Sequence, residues 1–194
     1  MYTQQQKTKR MVILGMLTAI SIILYFIEIP FFSGPLKLDF SDLPAAVAAV
    51  LFGPVAGVVI ELLKNIINLF VKDWGTTMGF GALLNFIVGV ALVVPLSVVT
   101  RGLLKRKGTR MVSILLGGLV GLVAMVGAGA LANYLIDPSY MRLVYHIPNA
   151  QIPGMMAVFI GWATLLNIVK SVLTTVLLGL VMAALSRNEN ALKV

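Results

Sequence analysis

The chain has 194 residues, of which 59% are hydrophobic and only 11% charged, and its mean hydropathy is +1.00. Average soluble domains are about 25% charged, so these figures exclude an ordinary soluble fold and make the lipid bilayer the solvent of this chain. The net charge of +8 sits in short Lys/Arg clusters between apolar runs, which is a membrane-topology pattern and not a nucleic-acid footprint; the lack of cysteine excludes disulfides, Cys-ligated metals and thiol nucleophiles.

In chain order, Lys7, Lys9 and Arg10 precede an apolar run over residues 11–29. That run leads into Glu28, Pro30 and an aromatic turn with no small-residue cleavage site, so it reads as a first membrane helix and not a removed signal. Residues 30–43 (PFFSGPLKLDFSDL) combine two prolines, a glycine and mixed charge, and read as an external loop. Residues 44–52 and 55–71 form a hairpin of two helices, each short for a full span, divided by Gly53-Pro54, a pair that ends one helix and starts the next. Trp74, Gly75, Gly79 and Gly81 fit an interface loop opening a fourth helix that runs to about Thr100. The basic loop Arg101, Lys105, Arg106, Lys107 and Arg110 follows, then a fifth helix over 111–136, an external loop over 137–153 and a sixth helix over 154–186. Arg187 and Lys193 form the last basic cluster. The positive-inside rule assigns all three clusters to the cytoplasm, with an even number of crossings between them. The expectation is an all-α integral membrane protein of six transmembrane helices with both termini cytoplasmic, and a single domain over 1–194 without internal repeats.

A charge inside a membrane helix costs at least about 2.5 kcal/mol, so each polar group there demands a reason. On the sixth helix Thr164, Asn167, Lys170, Ser171 and Thr174 fall at i, i+3, i+4 spacing and form one polar stripe. Ser171 and Thr174 suit helix–helix hydrogen bonding, whereas Asn167 and Lys170 are candidate ligand contacts. On the third helix Glu61, Lys64, Asn65, Asn68 and Lys72 form a second stripe, in which Glu61 and Lys64 are either a structural ion pair or functional groups. Asn85 at the outer start of the fourth helix and Asn133 with Tyr134 at the outer end of the fifth add amides and an aromatic ring, a set suited to the polar edge and flat face of a neutral heterocycle. Both amides lie toward the outside, so the site opens outward, and residues 37–42 are placed to close over it as a lid. His146, the one histidine, reads as a surface residue of the outer loop. Gly15 and Ala19, with Thr18 beside them, give the first helix a small-residue face that admits a partner helix. There is no G-x-x-x-x-G-K-[ST] phosphate loop and no protease, esterase or paired-aspartate motif, so the chain cannot hydrolyse ATP by that route and any energy for transport must come from elsewhere.

The run Leu38-Asp39-Phe40-Ser41-Asp42-Leu43-Pro44, followed by Phe52-Gly53-Pro54-Val55-Ala56-Gly57 and Glu61-Leu62-Leu63-Lys64-Asn65, resembles the substrate-binding S components of energy-coupling factor (ECF) vitamin transporters, in particular the riboflavin-binding members. The resemblance implies a multi-pass protein of the bacterial plasma membrane that captures riboflavin from outside. It implies partners as well, one transmembrane coupling protein and two ATPases, and no cofactor, metal or catalysis. An Asn on the fifth helix and an Asn-x-x-Lys pair on the sixth contact the vitamin in such proteins; these carry onto Asn133, Asn167 and Lys170, and the loop contacts onto Leu38 and Phe40. Their first helix usually docks the coupling protein through Ala-x-x-x-Ala, which here is Gly15-x-x-x-Ala19. The isoalloxazine ring, flat with a uracil-like edge, suits amides at the edge and apolar cover on its faces, while the ribityl hydroxyls suit a stripe such as Asn167 and Lys170. Three other readings compete: an S component for another vitamin, an intramembrane enzyme using Glu61, Lys64 and Asp42, and an autonomous secondary transporter. A lone carboxylate within the helices argues against the enzyme, and the lack of inverted repeats against the transporter.

Overall fold

The computed structural model describes residues 3–31, 36–106 and 108–187. Its elements are α1 (Gln4–Phe26), a two-stranded ribbon of β1 (Ile29–Pro30) and β2 (Lys37–Leu38), α2 (Asp42–Phe52), α3 (Pro54–Asn68), α4 (Trp74–Thr77), α5 (Phe80–Lys105), α6 (Arg110–Leu143) and α7 (Ile152–Arg187). A π-helical turn, Leu69–Asp73, joins α3 to α4, so that Pro54–Thr77 is one continuous span. With α1, α5, α6 and α7, five helices among the described residues are long and apolar enough to cross a bilayer, and α2 is a shorter sixth. The all-α six-helix membrane architecture therefore stands.

The short helix is explained by its surroundings. Eleven residues rise about 16 Å, roughly half of a 30 Å hydrocarbon core. The chain reaches its start by dipping into the bundle: Asp39, Ser41 and Asp42 are all buried. From there Ala45, Ala46, Ala48 and Ala49 are wholly enclosed, and a helix enclosed on every side is buried in a core. Small residues permit this. At Gly57 of α3 a Cβ would come within 2.5 Å of Val93 on α5 and 2.8 Å of Ala49 on α2. Gly53 turns α2 into α3 at φ 109°, a conformation that glycine alone adopts freely, and Pro54 starts the next helix.

Basic residues from the different clusters meet at one end of the bundle. Arg10 donates to the Phe52 carbonyl at 3.0 Å, and Arg101 to those of Val50 (2.6 Å) and Leu51 (3.1 Å), so two cations cap the C-terminus of α2. Arg110 donates to Met182 of α7 at 3.2 Å. Lys107 and Lys193 lie outside the described residues.

Three boundaries differ from the sequence reading. First, α6 does not stop at Asp137-Pro138 but runs 34 residues to Leu143. Proline forgoes one backbone bond, yet in a membrane the remaining backbone groups still need helical partners, and Val144 N–H closes onto Tyr140 at 2.9 Å beyond it. The expected loop over 137–153 shrinks accordingly to residues 144–151. Second, Trp74 and Gly75 belong to a helical turn, and the break falls at Met78 and Gly79, both at positive φ. Third, the loop after α1 contains an antiparallel ribbon that pairs Ile29 with Leu38 and Pro30 with Lys37.

Candidate functional site

At the end opposite the arginine caps, α1, the ribbon, the π turn, α5, α6 and α7 surround a cavity of about 300 Å³. Four residues singled out from sequence, Asn85, Asn133, Asn167 and Lys170, line it together. Their helices bring them close because α6 is small where it faces α7: a Cβ at Gly129 would lie 2.4 Å from the Asn167 amide nitrogen. The walls are aromatic. Tyr25, Tyr140, Tyr145 and Phe159 line the space, with Tyr140 5.6 Å from Phe80 and 5.3 Å from Tyr145 between ring centroids, and its hydroxyl donates to that of Tyr145 at 3.2 Å.

Lys170 closes the deep end. Its ammonium lies 3.1 Å from Asp39 Oδ2, from Asp42 Oδ2 and from Asn85 Oδ1, and the Asn85 amide donates onward to Asn65 at 3.0 Å. Asp39 also accepts from the Ser41 backbone at 2.9 Å and from its hydroxyl. Behind this layer Lys64 bonds Asp42, reaches Ser41 Oγ at 2.8 Å and sits 2.9 Å from Glu61. Lys64, Asp42 and Glu61 are fully buried and do not line the cavity. The Glu61/Lys64 stripe is thus an ion network that pins the loop and α2 to α3 and α7. A substrate in the cavity meets neither Glu61 nor Lys64, which removes the geometric basis for an enzyme built on them.

The other end of the cavity carries a second charged group. Glu28 accepts from Lys37 on the ribbon at 2.7 Å and from Lys72 on the π turn. The bond to Glu28 holds the Lys37 ammonium above the ordinary lysine range. Asp73, Thr76, Thr77 and Asn68 lie beside them, and the Asn68 side-chain oxygen is buried without a hydrogen-bond partner. Asp73 accepts from the Ala82 backbone at 2.7 Å and so fixes the start of α5.

Leu38 and Phe40 are not among the lining residues; Leu36, Lys37 and Asp39 of the same loop are. Leu38 is buried and Phe40 half-buried, so the loop's apolar side packs inward. Tyr134 is 66% exposed on the outside of α6, and the aromatic wall comes from Tyr140 instead. The signal for Tyr140 was present: it lies seven residues, two helical turns, after Asn133, on the same face once the helix continues past Pro138. Asn68 and Lys72 were visible as members of the third-helix stripe. The Lys170–Asp39 pair, 131 residues apart, had no local signal. Gly15 and Ala19 are exposed on α1, and among the described residues nothing beyond the helix's own backbone comes within 4 Å of a Cβ at Gly15, so this small-residue face stands open. His146 is exposed in the loop after α6.

A membrane-spanning helix bundle with a deep, tyrosine-walled, amide-lined cavity at one end is a solute-binding membrane protein. The chain matches the family described as "ECF transporter, substrate-specific component" over residues 9–185, and it belongs to that family. It is 31% identical over 178 residues to the riboflavin transporter FmnP of Bacillus subtilis (strain 168), covering 90% of each protein. Against the riboflavin transporter RibU of Staphylococcus aureus (strain TCH60) it is 28% identical over 173 residues, covering 88% of this chain and 87% of the relative. A solved structure described as the S component of a bacterial ECF transporter superposes with a TM-score of 0.74 at 26% identity, covering 94% of this chain and 98% of the other.

Proposed function

We propose that this chain is the riboflavin-binding S component of an ECF importer in a bacterial plasma membrane. It captures the vitamin from outside and delivers it with a coupling protein and two ATPases, which supply the phosphate loop this sequence lacks. The observation that carries the reading is the meeting of three amides and one ammonium, Asn85, Asn133, Asn167 and Lys170, in a cavity walled by tyrosines. Amides present donors and acceptors together, as the uracil-like edge of a flavin requires, and aromatic faces stack on its ring. The polyol chain then extends toward Thr76, Thr77 and Asn68, whose orphaned oxygen is ready for a hydroxyl donor. Leu38 and Phe40 support this site from behind by holding the loop down. No bond is made or broken.

With the basic end in the cytoplasm, the cavity faces outward, in keeping with capture. Gly15 and Ala19 supply the small-residue face for the coupling protein. The test is a fluorescence titration: detergent-purified protein quenches one equivalent of riboflavin at sub-micromolar concentration. A competition panel of thiamine, biotin and folate leaves that signal unchanged. Flavin fluorescence unaffected by the protein at micromolar concentration removes the vitamin assignment, and displacement by another vitamin moves it to a sister S component.

A further inference from the structure

Among the described residues that line the cavity, three carboxylates (Glu28, Asp39, Asp73) face three ammoniums (Lys37, Lys72, Lys170). Residues 32–35 of the same loop, Phe-Ser-Gly-Pro in the order Phe32, Ser33, Gly34, Pro35, bring no ionisable group. Each ammonium is also paired locally. Lys170 is nearly inaccessible and held by Asp39 and Asp42. Lys37 and Lys72, whose side chains are 41% and 30% exposed, both bind one oxygen of Glu28, itself 15% exposed. Without Glu28 these two lysines, one on the ribbon and one on the π turn, would form a pincer with surplus positive charge, the arrangement that captures a phosphate.

We infer that Glu28 is a selectivity residue that makes the site discriminate against the phosphate ester of its ligand in favour of the uncharged form. This rests on the riboflavin reading, for which the ester is riboflavin phosphate (flavin mononucleotide). A phosphate monoester carries about −1.5 to −2 charges at pH 7. At the deep end it finds Lys170 buried and doubly paired, so only the entrance can receive it. There it has to share Lys37 and Lys72 with Glu28 and lie close to the carboxylates of Glu28 and Asp73 in a partly desolvated site, and like charges crowded together in such a place are disfavoured. A neutral polyol meets no such conflict and bonds to Thr76, Thr77 and Asn68.

The experiment titrates riboflavin and riboflavin phosphate in parallel against the purified full chain, reading flavin fluorescence, and takes the ratio of the two dissociation constants. Using a ratio cancels general damage to the loop. In Glu28→Gln the preference for riboflavin over its phosphate falls about ten-fold or more, one unpaired charge at short range being worth at least that. The fall shrinks at high salt and disappears in Glu28→Gln combined with Lys72→Met. Lys72→Met alone, which leaves Glu28 and Asp73 against Lys37 alone, sharpens the preference for riboflavin. A ratio in Glu28→Gln within about two-fold of the parent, with riboflavin still bound, overturns the inference, since one charge is worth more than that. If Glu28→Gln binds neither flavin, an unchanged ratio in Lys72→Met overturns it instead. Failure of the unaltered protein to bind riboflavin is a different result, and removes the reading on which the inference stands.

Discussion

Lys170 has two tasks, and they separate in mutants. It presents an ammonium to the cavity, and it neutralises Asp39 and Asp42 at 3.1 Å each. Asn133 lines the same cavity without any ion pair. Asn133→Ala is therefore expected to weaken riboflavin by about 1–3 kcal/mol, the cost of leaving ligand polar atoms unpaired, while the thermal midpoint in detergent hardly moves. Lys170→Ala loses affinity by at least as much and lowers the midpoint too, because the loop loses its tie to α7. Parallel titration and thermal unfolding of the two variants check this; equal midpoints would mean that the Lys170–Asp39 bond holds nothing down. That Asn85, Asn133, Asn167 and Lys170 were legible in the sequence has a plain cause. A polar side chain in an apolar helix is costly, so its presence is informative, and helical spacing assigns its face. Their partners were not legible, because pairing such as Lys170 with Asp39 is fixed by which helices meet and not by spacing.

At the scale of elements, the half-length α2 depends on ions for its position. Its N-terminal Asp42 bonds Lys64 of α3, and its C-terminal carbonyls are capped by Arg10 and Arg101. Lys64→Met removes a wholly buried cation, strands Glu61 and leaves Asp42 with Lys170 alone. The expected loss is about 3–5 kcal/mol, seen as a large drop in thermal midpoint, with riboflavin binding weakened only through the loop. Val55→Ala, at a residue 72% exposed on α3, is the control and changes little. A midpoint for Lys64→Met as high as that control would show the network to be dispensable. The same network explains where the helix ends departed from expectation. Loop residues Asp39 and Ser41 are polar and lie in a segment bounded by prolines and a glycine, and sequence alone reads such a run as external. In the fold they point inward because Lys64 and Lys170 await them. Likewise Asp137-Pro138 carries a strong stop signal, yet α6 continues because the apolar residues on both sides keep it packed against α7.

Across the whole molecule, charge is divided between two ends in two different ways. At one end, arginines cap helix termini; at the other, lysines and carboxylates balance around a cavity. The six-helix count was legible because hydropathy and basic clusters act over whole segments, and neither depends on tertiary detail. The orientation expected from the same clusters can be tested cleanly, since the chain has no cysteine to mask. His146 and Thr109 are both exposed, in the loops at the cavity end and the arginine end respectively. In intact cells a membrane-impermeant maleimide should label His146→Cys, whereas Thr109→Cys should react only after the membrane is opened. Labelling of Thr109→Cys in sealed cells would invert the protein and turn the cavity toward the cytoplasm. A capture subunit cannot work in that orientation, so this one comparison bears on the topology and on the direction of transport together.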